Sequence, residues 1–449
     1  MHQPTVLDLF CGAGGLSEGF QQAGFRVIGG SDSDPDAVAT FALNHPDAVA
    51  LTGDVRDEPV RERLHHLARE ADVVVGGPPC QGFSQVRNHA RLIDEPRNAL
   101  YREFVAAVAE GAPRAFVMEN VTGMDEMDVR DQVLEDLSLG GDYEVEARVL
   151  DAADFGVPQS RRRLIFAGLR RGEDGPFRLP AGTGLAAVFG LNREQGRGGE
   201  TRYRVAAQGD LLAGAPTALA DPDDASAVTA AQALSDLRPL VSGRRDDEIA
   251  YDELPAPASA YQRAMREGAG DVLANVQVPR MRDDTRMRLE GIPPGGNYRD
   301  LDEALMARYL TGEKWGQDNG SGRLSRRHFY AYRRLHPDVW AWTLNTKADA
   351  AYHYAEPRSL SVREFARLQS FPDRFRFTTD PRRGDIPGRL KNGPAHSRYR
   401  QVGNAVPPLL ARAVAAELLS VLHPSRETAP SGDGLAAGEV ALDYSTARG

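Results

Sequence analysis

The sequence predicts an α/β protein: a doubly wound, mostly parallel sheet with a smaller, irregular domain inserted before its last elements. Three observations carry this. Short apolar runs alternate with helical patterns through the first third of the chain, the arrangement of parallel strands joined by crossover helices. A glycine-rich turn follows the first run, as in mononucleotide-binding sheets. The regular pattern then gives way to an arginine-, glycine- and proline-rich stretch over 180–355 and returns at 358. The chain therefore divides into 1–179, an inserted 180–355, a completing 356–424 and a Ser/Gly/Ala-rich tail over 425–449 that is expected to be disordered.

Residues 5–10 read as the first buried strand. Cys11-Gly12-Ala13-Gly14-Gly15 follows and opens an amphipathic helix over 16–23, stopped by Gly24. Glycines at such a turn let the backbone approach a ligand at the helix amino terminus. The spacing is not that of a dinucleotide turn, and the lysine of a phosphate-binding loop is missing. Residues 26–30 form the second strand, ending in Ser31-Asp32-Ser33-Asp34. Asp32 stands where an acid accepts hydrogen bonds from ribose hydroxyls, while Asp34 or Ser33 caps the helix over 35–43. A short third strand over 49–51 leads to Gly53-Asp54-Val55; Asp54 either takes an adenine amino group or caps the next helix.

The fourth strand, 72–75, runs into Gly76-Gly77-Pro78-Pro79-Cys80-Gln81-Gly82-Phe83-Ser84. Cys80 is one of two cysteines in 449 residues and stands at a strand's carboxyl end, the usual place for a site in an open α/β sheet. A lone cysteine is ordinarily a buried packing residue. Two prolines and two glycines that fix and expose this loop favour a nucleophile. Residues 81–98 read as a mobile loop able to close over a substrate. A helix over 99–109 and a fifth strand over 114–118 lead to Glu119-Asn120-Val121, with Glu119 a general-acid candidate in line with the cysteine strand. Strands over 143–150 and 163–169 have no helix between them and should form an antiparallel hairpin. The stretch 183–225 looks loop-rich, with one helix near 228–237. Ser361 and Glu364 form a capping box that starts a helix, and an apolar helix spans 409–422.

The apolar fraction, 41%, suffices for a core. No run of about 18 apolar residues occurs, so no membrane span is expected. The first residues lead straight into a strand, leaving no room for a signal peptide. Two cysteines in glycine-rich loops make no disulfide framework, and a cytoplasmic protein is expected. Net charge is −10, but basic charge is concentrated: lysine occurs only at Lys314, Lys347 and Lys391. Arg161-Arg162-Arg163 form one cluster. Arg323, Arg326, Arg327, Arg333 and Arg334, interleaved with His328, Phe329, Tyr330 and Tyr332, form another. Arginine with aromatics suits phosphate contact and base-edge readout; the plainer reading is a solvated surface of a chain from a GC-rich prokaryotic genome.

Taken in order, Asp8-Leu9-Phe10-Cys11-Gly12-Ala13-Gly14-Gly15, the Pro79-Cys80 loop, Glu119-Asn120-Val121, Gln159-x-Arg161-x-Arg163, the segment from Arg363-Glu364 to Phe371-Pro372, and Gly403-Asn404-Ala405-Val406-Pro407 resemble the DNA cytosine-C5 methyltransferases. The resemblance implies an S-adenosylmethionine-dependent methyltransferase fold, no metal, a duplex DNA substrate and a target-recognition domain at 180–355. It implies that Cys80 attacks C6 of a flipped-out cytosine and that Glu119, kept protonated by burial, serves N3. It implies that Arg163 binds the cytosine carbonyl and that Arg161 helps hold the site together. It implies a cofactor pocket of Phe10, Gly12, Ala13, Gly14, Gly15, Asp32, Ser33, Asp54, Val55, Pro78, Leu100, Asn404, Ala405 and Val406. Gln81, Ser84, Arg87 and the second arginine cluster become DNA contacts. The sequence departs from the family's usual pattern at Asp32, where glutamate is common, and at Ser33, where a bulky apolar residue is common. A monomer acting as the modification half of a restriction–modification system is expected, with a cognate endonuclease as functional partner. The rival readings are a tRNA cytosine methyltransferase and a catalytically silent DNA-binding relative.

Overall fold

A computed structural model describes residues 3–79, 99–127, 129–173, 175–195, 201–207, 227–302, 304–305, 332–381 and 394–423. Its centre is a seven-stranded sheet in the order β3-β2-β1-β4-β5-β7-β6. The strands are β1 (Thr5–Leu9), β2 (Arg26–Asp32), β3 (Val49–Thr52), β4 (Val73–Gly76), β5 (Ala115–Asn120), β6 (Tyr143–Asp151) and β7 (Arg162–Arg170). β1 to β5 are parallel, and β7 runs antiparallel to both β5 and β6. This is the doubly wound sheet with a terminal antiparallel hairpin that the sequence predicts. β1 and β4 are buried along their whole length, as continuous apolar runs covered on both faces must be.

The crossover helices are α1 (Gly15–Gln22), α2 (Pro35–Asn44), α3 (Glu58–Glu70), α4 (Ala99–Gly111) and α5 (Arg130–Leu137). Asp34 caps α2, its carboxylate accepting from Asp36 N, with Pro35 at the first helical position. The carboxyl-terminal helix Pro408–Leu422 returns to this sheet. Leu410, Val414 and Leu418 share a core with Leu16 and Phe20 of α1. Gly19 permits the crossing, since a Cβ there would lie 2.4 Å from the Ala411 methyl. The stretch His396–Leu422 is long and apolar enough to cross a membrane by composition, but over half of its apolar window is buried inside the fold.

The stretch after 180 is more ordered than its composition suggests. A short helix, α6 (Leu185–Val188), leads into the antiparallel pair β8 (Phe189–Gln195) and β9 (Thr201–Ala207). The loop-rich expectation for 183–225 is thus corrected over its first part; 208–226 and the 196–200 connection lie outside the described residues, as do the expected mobile loop up to Asn98 and the tail from 424. The helix expected near 228–237 is present as Ala230–Leu234 with a 3₁₀ extension, started by a Thr229–Gln232 capping box. Ser361 and Glu364 form the expected capping box on the helix Val362–Leu368. That helix packs with Leu234, Leu237, Tyr261 and Val402 in one core. Charged groups inside this core are paired, as burial demands: Arg367 lies 2.7 Å from both Asp236 and Asp373, and Arg358 holds Glu364 at 2.8 Å.

Candidate active site

The strand order reverses between β1 and β4, and a cavity of about 610 Å³ opens beyond the carboxyl ends of the strands there, where open α/β sheets bind ligands. Phe10, Gly12, Gly15, Asp32, Ser33, Asp54, Val55, Pro78, Leu100, Asn404, Ala405 and Val406 line it. Phe10 adopts φ 60°, a left-handed conformation rare for an aromatic residue and characteristic of functional sites. Asp32 binds the glycine loop to the end of β2: one carboxylate oxygen accepts Gly12 N at 3.0 Å, the other Asp34 N at 2.8 Å. Burial pushes this carboxyl above its ordinary range. Asp54 does not cap α3, where Asp57 holds the N-cap position. Its carboxylate accepts Arg56 N at 3.0 Å and Arg56 Nε at 2.9 Å, which holds it down to about 2.

Two expected members of the pocket are not on its wall. Ala13 is buried in the core shared with 228–405. A Cβ on Gly14 would face His45 and Phe41 at 3.1 Å, away from the cavity. Gly15 does line the cavity, yet its missing side chain serves the protein itself: a Cβ there would fall 2.2 Å from the Val406 carbonyl oxygen. Of the three glycines in this loop, Gly12 alone leaves open space on its Cβ side.

At the other end, β4 continues through Gly77-Pro78-Pro79. Cys80 follows outside the described residues, as do Gln81, Ser84 and Arg87. Asn120 Nδ2 donates to the Pro78 carbonyl at 3.2 Å and ties this approach to β5. Parallel pairing of Gly76 with Met118 sets the next residue, Glu119, beside Gly77, whose Cβ position is 3.0 Å from Glu119 Oε2. Antiparallel pairing of Asn120 with Leu164 brings Arg163 alongside. Arg163 Nε lies 2.5 Å from Glu119 Oε1, and both side chains are mostly buried. A guanidinium therefore stands against the Glu119 carboxylate, a contact that the sequence reading did not include. Arg161 is buried and donates to the Gly403 carbonyl at 2.9 Å and the Leu344 carbonyl at 3.3 Å. Burial, reinforced by Arg163, pushes its guanidinium down to about 9, and its Nε has no partner.

Sequence reasoning missed several residues of the wall: Thr343, Leu344, Asn345 and Thr346 from the inserted stretch, and Arg400 and Gln401. No local pattern marks the first four. They arrive because Ala341 bridges Gln159 and Thr343 Oγ1 donates to the Ser160 carbonyl at 2.8 Å. The second arginine cluster is divided. Arg323, Arg326 and Arg327 lie outside the described residues. Arg333 stacks its guanidinium 3.7 Å from the Trp342 ring centroid. Arg334 is not a surface residue: it is buried and donates to the Leu289, Ile292, His353 and Tyr354 carbonyls, which corrects its assignment as a DNA contact. Cys11 is buried, and burial pushes its thiol well up, unlike a reactive thiolate. Among the described residues no group of three or more His, Cys, Asp or Glu is arranged to hold a metal ion.

A seven-stranded sheet in this order, with a glycine loop, an acid ending β2 and a cavity at the reversal point, defines a methyltransferase-type α/β protein. The chain matches the C-5 cytosine-specific DNA methylase family over residues 4–187 and 260–420, and it belongs to that family: it is a DNA cytosine-C5 methyltransferase. It is 32% identical to the Type II methyltransferase M.AgeI of Thalassovita gelatinovora, over 91% of this chain and 98% of that one. It is also 32% identical to the Type II methyltransferase M.XorII of Xanthomonas oryzae pv. oryzae, over 95% of this chain and 87% of that one. A crystal structure of a DNA modification methyltransferase encoded within an E. coli prophage shares the fold, with a TM-score of 0.60 and 23% identity over 93% of this chain and 99% of that chain.

Proposed function

We propose that this enzyme methylates C5 of a cytosine extruded from duplex DNA through a transient adduct on Cys80, and that it serves as the modification half of a restriction–modification pair. The observation that carries the reading is the Glu119–Arg163 pair, held 2.5 Å apart beside the Gly77-Pro78-Pro79 approach to Cys80. A carboxyl and a guanidinium side by side match the N3 and O2 edge of cytosine. An entering base exchanges their mutual contact for two contacts of its own. Thiolate attack forms the S–C6 bond and sends the C5–C6 π electrons toward C5, N3 and O2. In its protonated form Glu119 donates to N3, and Arg163 donates to O2. Preorganised donors at the place where charge develops are the largest single source of catalysis in such sites. After C5 carries the methyl group, a solvent base removes the C5 proton. The electron pair restores the C5–C6 double bond and expels the Cys80 thiolate.

The residues present fit S-adenosylmethionine. Gly12 leaves its backbone open, and the Asp32 oxygens each keep a lone pair for ribose hydroxyls. Phe10, Val55 and Leu100 offer an apolar wall for a purine. When bound, the cofactor supplies a methyl group on a positively charged sulfur. Arg161 acts as a positioning residue, joining the inserted stretch at Leu344 to the returning segment at Gly403. Relatives named Type II methyltransferases support the modification role, with a cognate endonuclease as functional partner. The test is covalent capture on duplex DNA carrying 5-fluorocytosine at the mapped target, with tRNA assayed in parallel. A denaturant-stable adduct on the duplex is expected; capture on tRNA alone would reject the DNA assignment, and no capture would reject the adduct.

A further inference from the structure

The antiparallel pair β8–β9 has two unlike faces. In its register Phe189 opposes Ala207, Leu191 opposes Val205 and Arg193 opposes Tyr203. At its Phe189 and Leu191 end this face is turned inward, while Arg193 is exposed. Phe189, Leu191, Val205 and Ala207 pack with Val339, Trp340 and Ala153, while Arg193 and Tyr203 both bond Asp300. The alternate positions pair Asn192 with Arg204 and Glu194 with Arg202, and all four are exposed. An exposed strand face is ordinarily just a solvated surface. Three features set this one apart.

The ribbon is anchored to the catalytic side of the molecule. Asp154, just after β6, accepts Ala186 N at 2.8 Å and so fixes α6, the lead-in to β8. Beneath the ribbon, Trp340 is three residues before Thr343, where the chain joins the cavity wall. The ribbon is therefore held in fixed relation to Arg161 and Arg163. Its position in the chain, 189–207, falls between the two stretches that match the family model, 4–187 and 260–420, and so lies outside the segments that the model describes. Its outward row holds an amide, a carboxylate and two guanidinium groups, the side-chain types that pair with adenine, cytosine and guanine edges. A two-stranded ribbon is also one of the two elements that the major groove, about 12 Å wide, admits.

We infer that the outward face of β8–β9, through Asn192, Glu194, Arg202 and Arg204, enters the major groove beside the target cytosine and reads part of the recognition sequence. The inference rests on the proposed duplex DNA substrate. Arg204 and Asn192 form the central pair and carry the sharpest test. Full-length wild type, Arg204→Ala, Arg204→Lys and Asn192→Ala are expressed in a methylation-free host, and 5-methylcytosine is mapped across the genome. kcat/KM is then measured on the wild-type site and on its single-base variants. Arg204→Ala is expected to lose at least about tenfold on the wild-type site and to relax the preference at one base position, the scale of one lost bidentate base contact. Arg204→Lys is expected to restore affinity without restoring that preference, because lysine lacks the fork. Both residues are exposed, so melting temperatures should be unchanged. Unchanged sites and rates in all three variants would overturn the inference. So would an equal loss on every sequence, the mark of phosphate contact alone. Absence of 5-methylcytosine with the wild type would instead reject the substrate on which it rests.

Discussion

Replacement of Asp8 by asparagine tests the buried acid in the strand that leads into the glycine loop. Asp8 is fully buried in β1, beneath the glycine loop. One oxygen accepts Ser17 Oγ at 2.6 Å, and the other has no partner. Burial pushes the carboxyl up to about 7 from an ordinary 3.8; the Ser17 hydroxyl and backbone oppose this, and the Asp32 charge adds to it. Folding therefore retains a proton on Asp8 between about pH 4 and pH 7, and stability falls as pH rises through that window. At about 1.4 kcal/mol per pH unit the full cost above pH 7 is at most about 4 kcal/mol. Asparagine keeps the shape and the Ser17 contact and never ionises. It leaves an unpaired amide where the orphan oxygen was, worth about 1–3 kcal/mol. The two effects oppose each other, so the curves should cross. Asp8→Asn should be less stable than wild type near pH 4 and more stable, by about 1–3 kcal/mol, near pH 8. Urea unfolding of both proteins across that range measures the difference. A difference that does not change with pH would refute the buried, proton-retaining acid.

Three further substitutions separate roles that the sequence alone confuses. Gly15→Ala should force the segment at Val406 to move, because backbone oxygen occupies the Cβ position; a loss of about 1–3 kcal/mol and weaker S-adenosylhomocysteine binding by calorimetry are expected. Glu119→Gln should break the pair with Arg163 and lower methylation by at least about a hundredfold while leaving cofactor binding intact, read by single-turnover kinetics beside calorimetry. Arg334→Ala should cost at least about 3 kcal/mol by denaturant unfolding, because four buried carbonyls lose their donor. The salt dependence of DNA binding should keep its slope, because Arg334 meets no phosphate.

What could be read from the sequence follows from the range of each interaction. The strands β1 to β5 announced themselves as apolar runs ending in glycine or acid, and the β6–β7 hairpin by the missing crossover helix. Ser361 and Glu364 signalled a helix start because a capping box is complete within four residues. The ribbon β8–β9 escaped notice because the row that packs inward also includes Arg193 opposite Tyr203, both bonded to Asp300 about a hundred residues on. The helix Pro394–Asn404 was equally silent. Its buried Ser397 and Gln401 are held by Asp36 and Thr40 of α2, so no apolar period marks it. Around the cavity, strand ends and glycines pointed to Gly12, Asp32 and Glu119 and the family resemblance to Phe10, whereas Thr343–Thr346 and Arg400 depend on how distant segments cross. Arg334 shows the converse: an arginine in an arginine–aromatic run looks like a nucleic-acid contact until its carbonyl partners are known.

The most direct measurement is transfer of labelled methyl from S-adenosylmethionine to target duplex by Cys80→Ala, beside wild type, with melting temperature and cofactor affinity recorded for both. Loss of transfer to background, with fold and cofactor binding retained, is the predicted result. Transfer at a rate near wild type in that folded variant would contradict the proposed sulfur-addition mechanism.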